Sequence, residues 1–147
     1  RYGRNCAASG GVSTKMNVLL DTSVIISFFV EDAHTARAET IMRQVFEGKV
    51  KAFAPSLVLA ETCGAICRKA GVKNAEAVLA KLSEWVLKGL LTVMPEPEEF
   101  YSNACRLAVK HSLKGADAFI AALAESGNLK LVTFDDELVM KLKLEKF

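Results

Sequence analysis

Along this chain short apolar runs alternate with longer stretches whose apolar residues recur every third and fourth position. The runs NVLL (17–20), KAFA (51–54), LLTVM (90–94) and KLVT (130–133) have the length and the near-continuous hydrophobicity of buried strands. Residues 24–30 suit a buried first helix. Over residues 33–47, Ala38, Ile41, Met42, Val45 and Phe46 fall at i, i+3, i+4, i+7 and i+8, one helical face, and Gly48 closes it. Pro55-Ser56 predicts the start of a helix running through Lys69. After Gly71 a further helix puts Ala75, Val78, Leu79, Leu82, Trp85 and Val86 on one stripe, read as core, and Gly89 ends it. Pro95 and Pro97 mark a loop. A helix over 98–111 then turns Phe100, Ala104, Leu107 and Ala108 inward, and Gly115 precedes another over 116–125. Gly127-Asn128 is a turn, and residues 135–141 form the last helix. Strands separated by amphipathic helices predict a three-layer α/β domain whose central, mostly parallel sheet is flanked by helices.

Composition sharpens this picture at a few points. A chain of 147 residues that is 51% hydrophobic suits one core. Residues 1–15, RYGRNCAASGGVSTK, carry no acid and no periodicity, whereas Met16 opens the patterned sequence; we read 1–15 as an added leader and 16–147 as a single domain. A secretory signal would need an apolar stretch of about 7 or more residues, which 1–15 lacks. Without Arg1, Arg4 and Lys15 the remainder has 16 basic against 17 acidic residues, about −1 overall. Any polyanion must therefore be met by a local site. Cys6, Cys63, Cys67 and Cys105 form no zinc pattern and no evident disulfide framework; buried packing is expected for Cys63 and Cys67, one helical turn apart. No uncharged apolar run approaches the roughly 18 residues of a membrane span. A soluble, cytoplasmic protein is expected.

The candidate chemistry lies in four acids. Asp21 directly follows NVLL, and Asp135 stands two residues after Thr133, so both fall where a strand gives way to a helix. In an open parallel sheet such positions share one edge, where ligands bind. Glu61 has Leu57, Val58, Gly64 and Ala65 at helical contact spacing, and Asp117 shares a face with Ile120 and Ala121. Inward carboxylates need partners, and several converging without matched bases repel one another; Mg²⁺ or Mn²⁺, which prefer oxygen ligands, would remove that conflict. The chemistry that follows is metal-assisted hydrolysis of a phosphodiester. Thr22, Ser23 and Thr133 are candidates to hydrogen-bond the acids or the attacking water, and Lys114, Arg68 and Lys69 to meet substrate phosphate.

Each acid also has a plain structural reading: Asp117 as a helix-start acid, Asp135 or Asp136 as a cap, Asp21 as a turn residue. Glu61 is the hardest to explain that way. His34 and His111 flank helices and are read as solvated or dipole-compensating.

Together these residues resemble the PIN-domain ribonucleases, in particular the VapC toxins of VapBC toxin–antitoxin modules. The resemblance covers residues 16 to about 142 and is carried by MNVLLDTSVIISFF, PSLVLAETCGAI, KGADAFIAALAE and KLVTFDDEL, in that order. It implies a small α/β fold, metal-dependent RNA cleavage with Asp21, Glu61, Asp117 and Asp135 as catalytic and metal-binding acids, a homodimer, and a small VapB-like antitoxin. In the tandem Asp135-Asp136 the Thr-x-Asp spacing from Thr133 favours Asp135, with Asp136 supporting it. An RNA-processing PIN nuclease without an antitoxin shares this chemistry. A phosphotransfer domain also places Asp after its first strand, but a haloacid dehalogenase expects a second Asp where Ser23 stands, and the paired acids of a receiver are not evident. A non-enzymatic module with the same fold is a further alternative.

Overall fold

The computed structural model describes residues 15–147; except for Lys15, the segment read as a leader lies outside the described residues. The elements run β1 (Met16–Leu20), α1 (Thr22–Phe29), α2 (Thr35–Phe46), β2 (Val50–Pro55), α3 (Ser56–Ala70), α4 (Val72–Leu87), β3 (Leu91–Met94), α5 (Phe100–His111), α6 (Gly115–Ser126), β4 (Lys130–Val132) and α7 (Asp136–Leu142). All sheet pairings are parallel, in the order β3-β2-β1-β4. The three-layer α/β expectation holds.

The topology positions the site. Val18, Leu19 and Leu20 of β1 are wholly buried although alternate residues face opposite sides, so both faces of the central strand are covered. From β1 the chain builds outward through β2 and β3 and then returns to place β4 on the other flank. The direction of winding therefore reverses between β1 and β4, and a parallel sheet opens a crevice at such a point, beyond the carboxyl ends of its strands. The Asp21 amide donates to Val132 O at 3.0 Å, tying the two strand ends together at that crevice.

Helix faces follow the sequence pattern with two departures. On α4 only Val78, Leu82 and Trp85 of the expected stripe are buried, whereas Leu79 and Val86 are exposed. Each successive helical residue turns by about 100°, so Leu79 and Val86 lie beside the line that α4 presses against α3. Phe46, expected inward on α2, is 41% exposed and leans on Trp85 at a ring separation of 5.3 Å. Cys63 and Cys67 are half-buried and Cys105 is exposed, all as free thiols, while Cys6 lies outside the described residues. Among the described residues no helix is long and apolar enough to cross a membrane.

Gly71 both ends α3 and starts α4, with φ 85° and ψ 168°. A Cβ there would meet nothing within 4 Å, so any penalty is conformational rather than steric crowding by neighbours. This backbone region is essentially restricted to glycine. Gly71→Ala is expected to destabilise by about 1–3 kcal/mol. Urea unfolding would show it as a lower midpoint with an unchanged slope.

Candidate active site

Asp21 occupies the N-cap position of α1 with extended backbone, φ −78° and ψ 158°, yet its side chain caps nothing. It turns instead into the crevice, where Oδ2 accepts from Ser23 Oγ at 2.7 Å and from Thr133 Oγ1 at 2.8 Å. The two hydroxyls also approach each other at 3.3 Å. Each has one proton, already directed at Asp21, so that approach is not a third hydrogen bond. As acceptors, Ser23 Oγ takes the amide of Phe134 and Thr133 Oγ1 takes the amide of Asp135, both at 3.0 Å. The turn after β4 is thereby clamped to the end of β1. Asp21 is only 8% exposed, and its Oδ1 has no protein donor among the described residues. No sealed side-chain N or O among them lacks a partner, so this oxygen opens into the crevice.

Thr22, the next residue, serves a different carboxylate. Its Oγ1 donates to Glu61 Oε2 at 2.8 Å, holding the half-buried Glu61 of α3 against the start of α1. Asp117 lies in the first turn of α6, half-buried. Burial pushes its carboxyl above the usual value, the charges of Asp135 and Asp21 push it further, and Glu137 adds to them; Lys114, at the N-cap of α6, opposes the shift. Asp135 caps α7, its Oδ1 accepting from the amides of Glu137 at 2.9 Å and Leu138 at 3.2 Å. Its Oδ2 has no protein donor among the described residues. The capping reading of Asp135 is therefore right as far as it goes, and the same side chain also faces Asp117 electrostatically.

The charges of Asp21 and Asp135 thus reach Asp117, whereas Glu61 is not among the charges acting on it and is tied in only through Thr22, the neighbour of Asp21. Asp136 is exposed and is not among the charges acting on Asp117; it lines a separate hollow with His34 and Arg37. Arg68 and Lys69 form no ion pair with Asp21, Glu61, Asp117 or Asp135 among the described residues. Both are exposed; the charge of Lys69 acts on Asp32, whereas Arg68 folds back along α3, its Nη1 3.3 Å from where a Cβ on Gly64 would stand. Glu137, paired with Lys141 at 2.7 Å, contributes charge that the sequence reading overlooked. Its place within DDEL, beside an acid already singled out, was the available signal.

A sequence model of the PIN domain family matches residues 18–141. The chain belongs to that family. Among solved structures, this PIN domain superposes with TM-score 0.67 on the Mycobacterium tuberculosis VapC20, described as a sarcin-ricin loop cleaving toxin, at 19% identity over 84% of this chain and 93% of the other. It matches PAE2754 from Pyrobaculum aerophilum with TM-score 0.63, at 25% identity over 88% and 87%. A toxin–antitoxin complex from Klebsiella pneumoniae gives 0.58, at 16% identity over 83% and 89%. No curated protein sequence matches the chain significantly.

The donor set of the PIN domain fits a hard divalent cation in its chemistry. Every candidate ligand is a carboxylate, and Asp21 Oδ1, Glu61 Oε1 and Asp135 Oδ2 each lack a protein donor among the described residues, while the paired oxygen of each is held. The carboxyl of Asp117 is raised first by burial and then by the charges of Asp135 and Asp21, and a nearby cation would offset both. Among the described residues no three His, Cys, Asp or Glu side chains are drawn together as a ready-made metal site. A cation would have to draw these carboxylates closer together.

Thr133 is the joint of this arrangement, because its single hydroxyl holds Asp21 and receives the Asp135 amide. Thr133→Val keeps the shape and removes both bonds. It is expected to weaken Mn²⁺ affinity about 10- to 100-fold, read by calorimetric titration against wild type.

Proposed function

We propose that this PIN domain is a Mg²⁺- or Mn²⁺-dependent endoribonuclease that hydrolyses RNA phosphodiesters, and that it is the toxin of a toxin–antitoxin pair. The observation that carries the nuclease reading is Asp117, raised by burial and by the charges of Asp135 and Asp21 in a crevice at the switch point of the sheet. The fold shared with a sarcin-ricin loop cleaving toxin and with a toxin–antitoxin complex supports the biological assignment.

In this mechanism the chain's residues bind and orient. Asp21, pinned through Oδ2 by two hydroxyls, presents Oδ1. Glu61, held by Thr22, presents Oε1, and Asp135, fixed by the first amides of α7, presents Oδ2. These oxygens and Asp117 would hold the cation, which supplies Lewis acidity toward the phosphate and lowers the pKa of the attacking water. Lys114, whose charge acts on Asp117, would meet a phosphate oxygen. No covalent intermediate is needed, and Ser23, committed to Asp21, takes no part in phosphoryl transfer.

The test is cleavage of a labelled single-stranded RNA by the purified chain. Fragments are expected with Mg²⁺ or Mn²⁺ and none with EDTA; metal-independent or absent cleavage removes the proposal. Inhibition by the product of a small neighbouring reading frame would identify the antitoxin, and light scattering would report the homodimer expected of the toxin branch.

A further inference from the structure

His34, read from sequence as a solvated helix-flanking residue, has a more particular place. Its imidazole stacks on the Phe134 ring, with centroids 4.9 Å apart and planes inclined by 25°. Phe134 is buried, and its amide is bonded to Ser23, which in turn holds Asp21. His34 itself is exposed. One face of its ring is seated on the scaffold of the catalytic crevice, and the ring's exposure leaves its other face to solvent.

The backbone under the ring is locked. Asp32 Oδ1 accepts the His34 amide at 2.7 Å, Asp32 Oδ2 accepts from the buried Ser27 at 2.7 Å, and the Asp32 amide donates to Thr35 Oγ1 at 2.8 Å. One turn further, Arg37 places its guanidinium 4.9 Å from the centre of the same Phe134 ring. It spends one donor on Phe147 O at 3.2 Å, and its other N–H groups have no acceptor among the described residues. These side chains border a hollow of about 130 Å³ that Thr133 also lines, so the hollow and the acidic crevice share a wall. Asp136 and Glu145 offset Arg37 and Lys146 there, and the place is not a bare anion site. What sets it apart is an exposed aromatic ring seated on Phe134, the residue between Thr133 and Asp135.

Resting on the nuclease reading above, we infer that the outer face of His34 is a stacking platform for an unpaired base of a single-stranded RNA, adjoining the phosphodiester to be cut. Every base has a flat π face, and stacking on an aromatic side chain is how unpaired bases are held without regard to sequence. His34 is thus a substrate-binding residue, and Arg37 reinforces the platform from below by stacking its cation on Phe134.

The test combines binding and turnover. Binding of a fluorescent single-stranded oligoribonucleotide is measured in EDTA by anisotropy, and KM and kcat are measured with Mn²⁺. His34→Ala is expected to weaken binding and raise KM by about 5- to 150-fold, the worth of one stacked base, with kcat unchanged. His34→Phe, which keeps the stack on both faces, should stay within about threefold of wild type by the same argument, and melting curves of both variants report folding. The inference is overturned if His34→Ala leaves Kd and KM unchanged, if His34→Phe is as impaired as His34→Ala, or if the wild-type chain has no affinity for RNA. Unchanged binding by His34→Ala in a protein that cleaves RNA removes the platform alone, whereas a wild-type chain that cleaves no RNA removes the nuclease reading itself.

Discussion

On the proposed nuclease reading, Asp21→Asn is expected to abolish RNA cleavage while leaving the fold in place. The loss should exceed about 100-fold in kcat/KM, because a group meant to hold the cation must matter more than the partners that support it, which are worth about 10- to 100-fold. The expectation that the fold survives comes from the geometry of one carboxylate. Both hydroxyls meet the same oxygen, Oδ2, so an amide carbonyl can accept from Ser23 and Thr133 unchanged, while the NH₂ takes the place of Oδ1 at the crevice. The substitution therefore alters only the atom aimed at the cation. Cleavage assays and melting curves on the same preparation check it. Activity near wild type would remove Asp21 from the mechanism, and a collapsed melting transition would show that its role is structural.

Asp117→Asn should separate stability from activity. The carboxyl of Asp117 is raised above its ordinary 3.8 by burial and then by Asp135 and Asp21, against the opposing charge of Lys114. A carboxyl that titrates higher folded than unfolded costs stability. The cost is fully present above its folded pKa and disappears as pH falls from there to 3.8. In EDTA at pH 7 the Asn variant is therefore expected to melt above wild type by about 1–4 °C, a modest shift because solvent screens a half-exposed group. The gap closes as pH approaches 4. Adding Mn²⁺ should close it from the other side, since a cation that binds the folded wild type raises its melting temperature and leaves the variant less affected. RNA cleavage by the variant should fall by more than about 100-fold, on the same reasoning as for Asp21. Calorimetry across pH, with and without Mn²⁺, measures the three stability effects, and a cleavage assay measures the loss of activity. A variant less stable than wild type at pH 7 would mean that Asp117 is held by a favourable interaction rather than penalised by burial and its acidic neighbours.

These tests use residues that were legible in the sequence to different degrees. NVLL followed at once by Asp21 marks a buried strand that ends in an acid, and KLVT places Thr133 and Asp135 on the matching end of another. Glu61 was legible because its contact neighbours at helical spacing are small or apolar, and the half-buried site agrees. The stripe on α4 was only half legible. Periodicity says which residues lie along one line of a helix, but how wide a strip becomes buried depends on the neighbours: Val78, Leu82 and Trp85 are buried, Trp85 among Phe28 and Phe29 of α1 and Phe46 of α2, while Leu79 and Val86 stay exposed.

By itself, then, the order of residues determined the elements, their inward faces and the edge on which the acids stand, because the 3.6- and 2-residue periods tie side-chain direction to position along the chain. Only the tertiary structure decided which hydroxyl serves which carboxylate: neighbours Thr22 and Ser23 diverge, one to Glu61 and the other to Asp21. It also decided that Asp135, not Asp136, bears on Asp117, that Lys69 bears on Asp32 instead of the acids, and that His34 rests on a phenylalanine a hundred residues away. Those pairings follow from placing β4 beside β1 and from the angles at which helices leave the sheet. Both are set by packing among distant segments, and no local period carries that information.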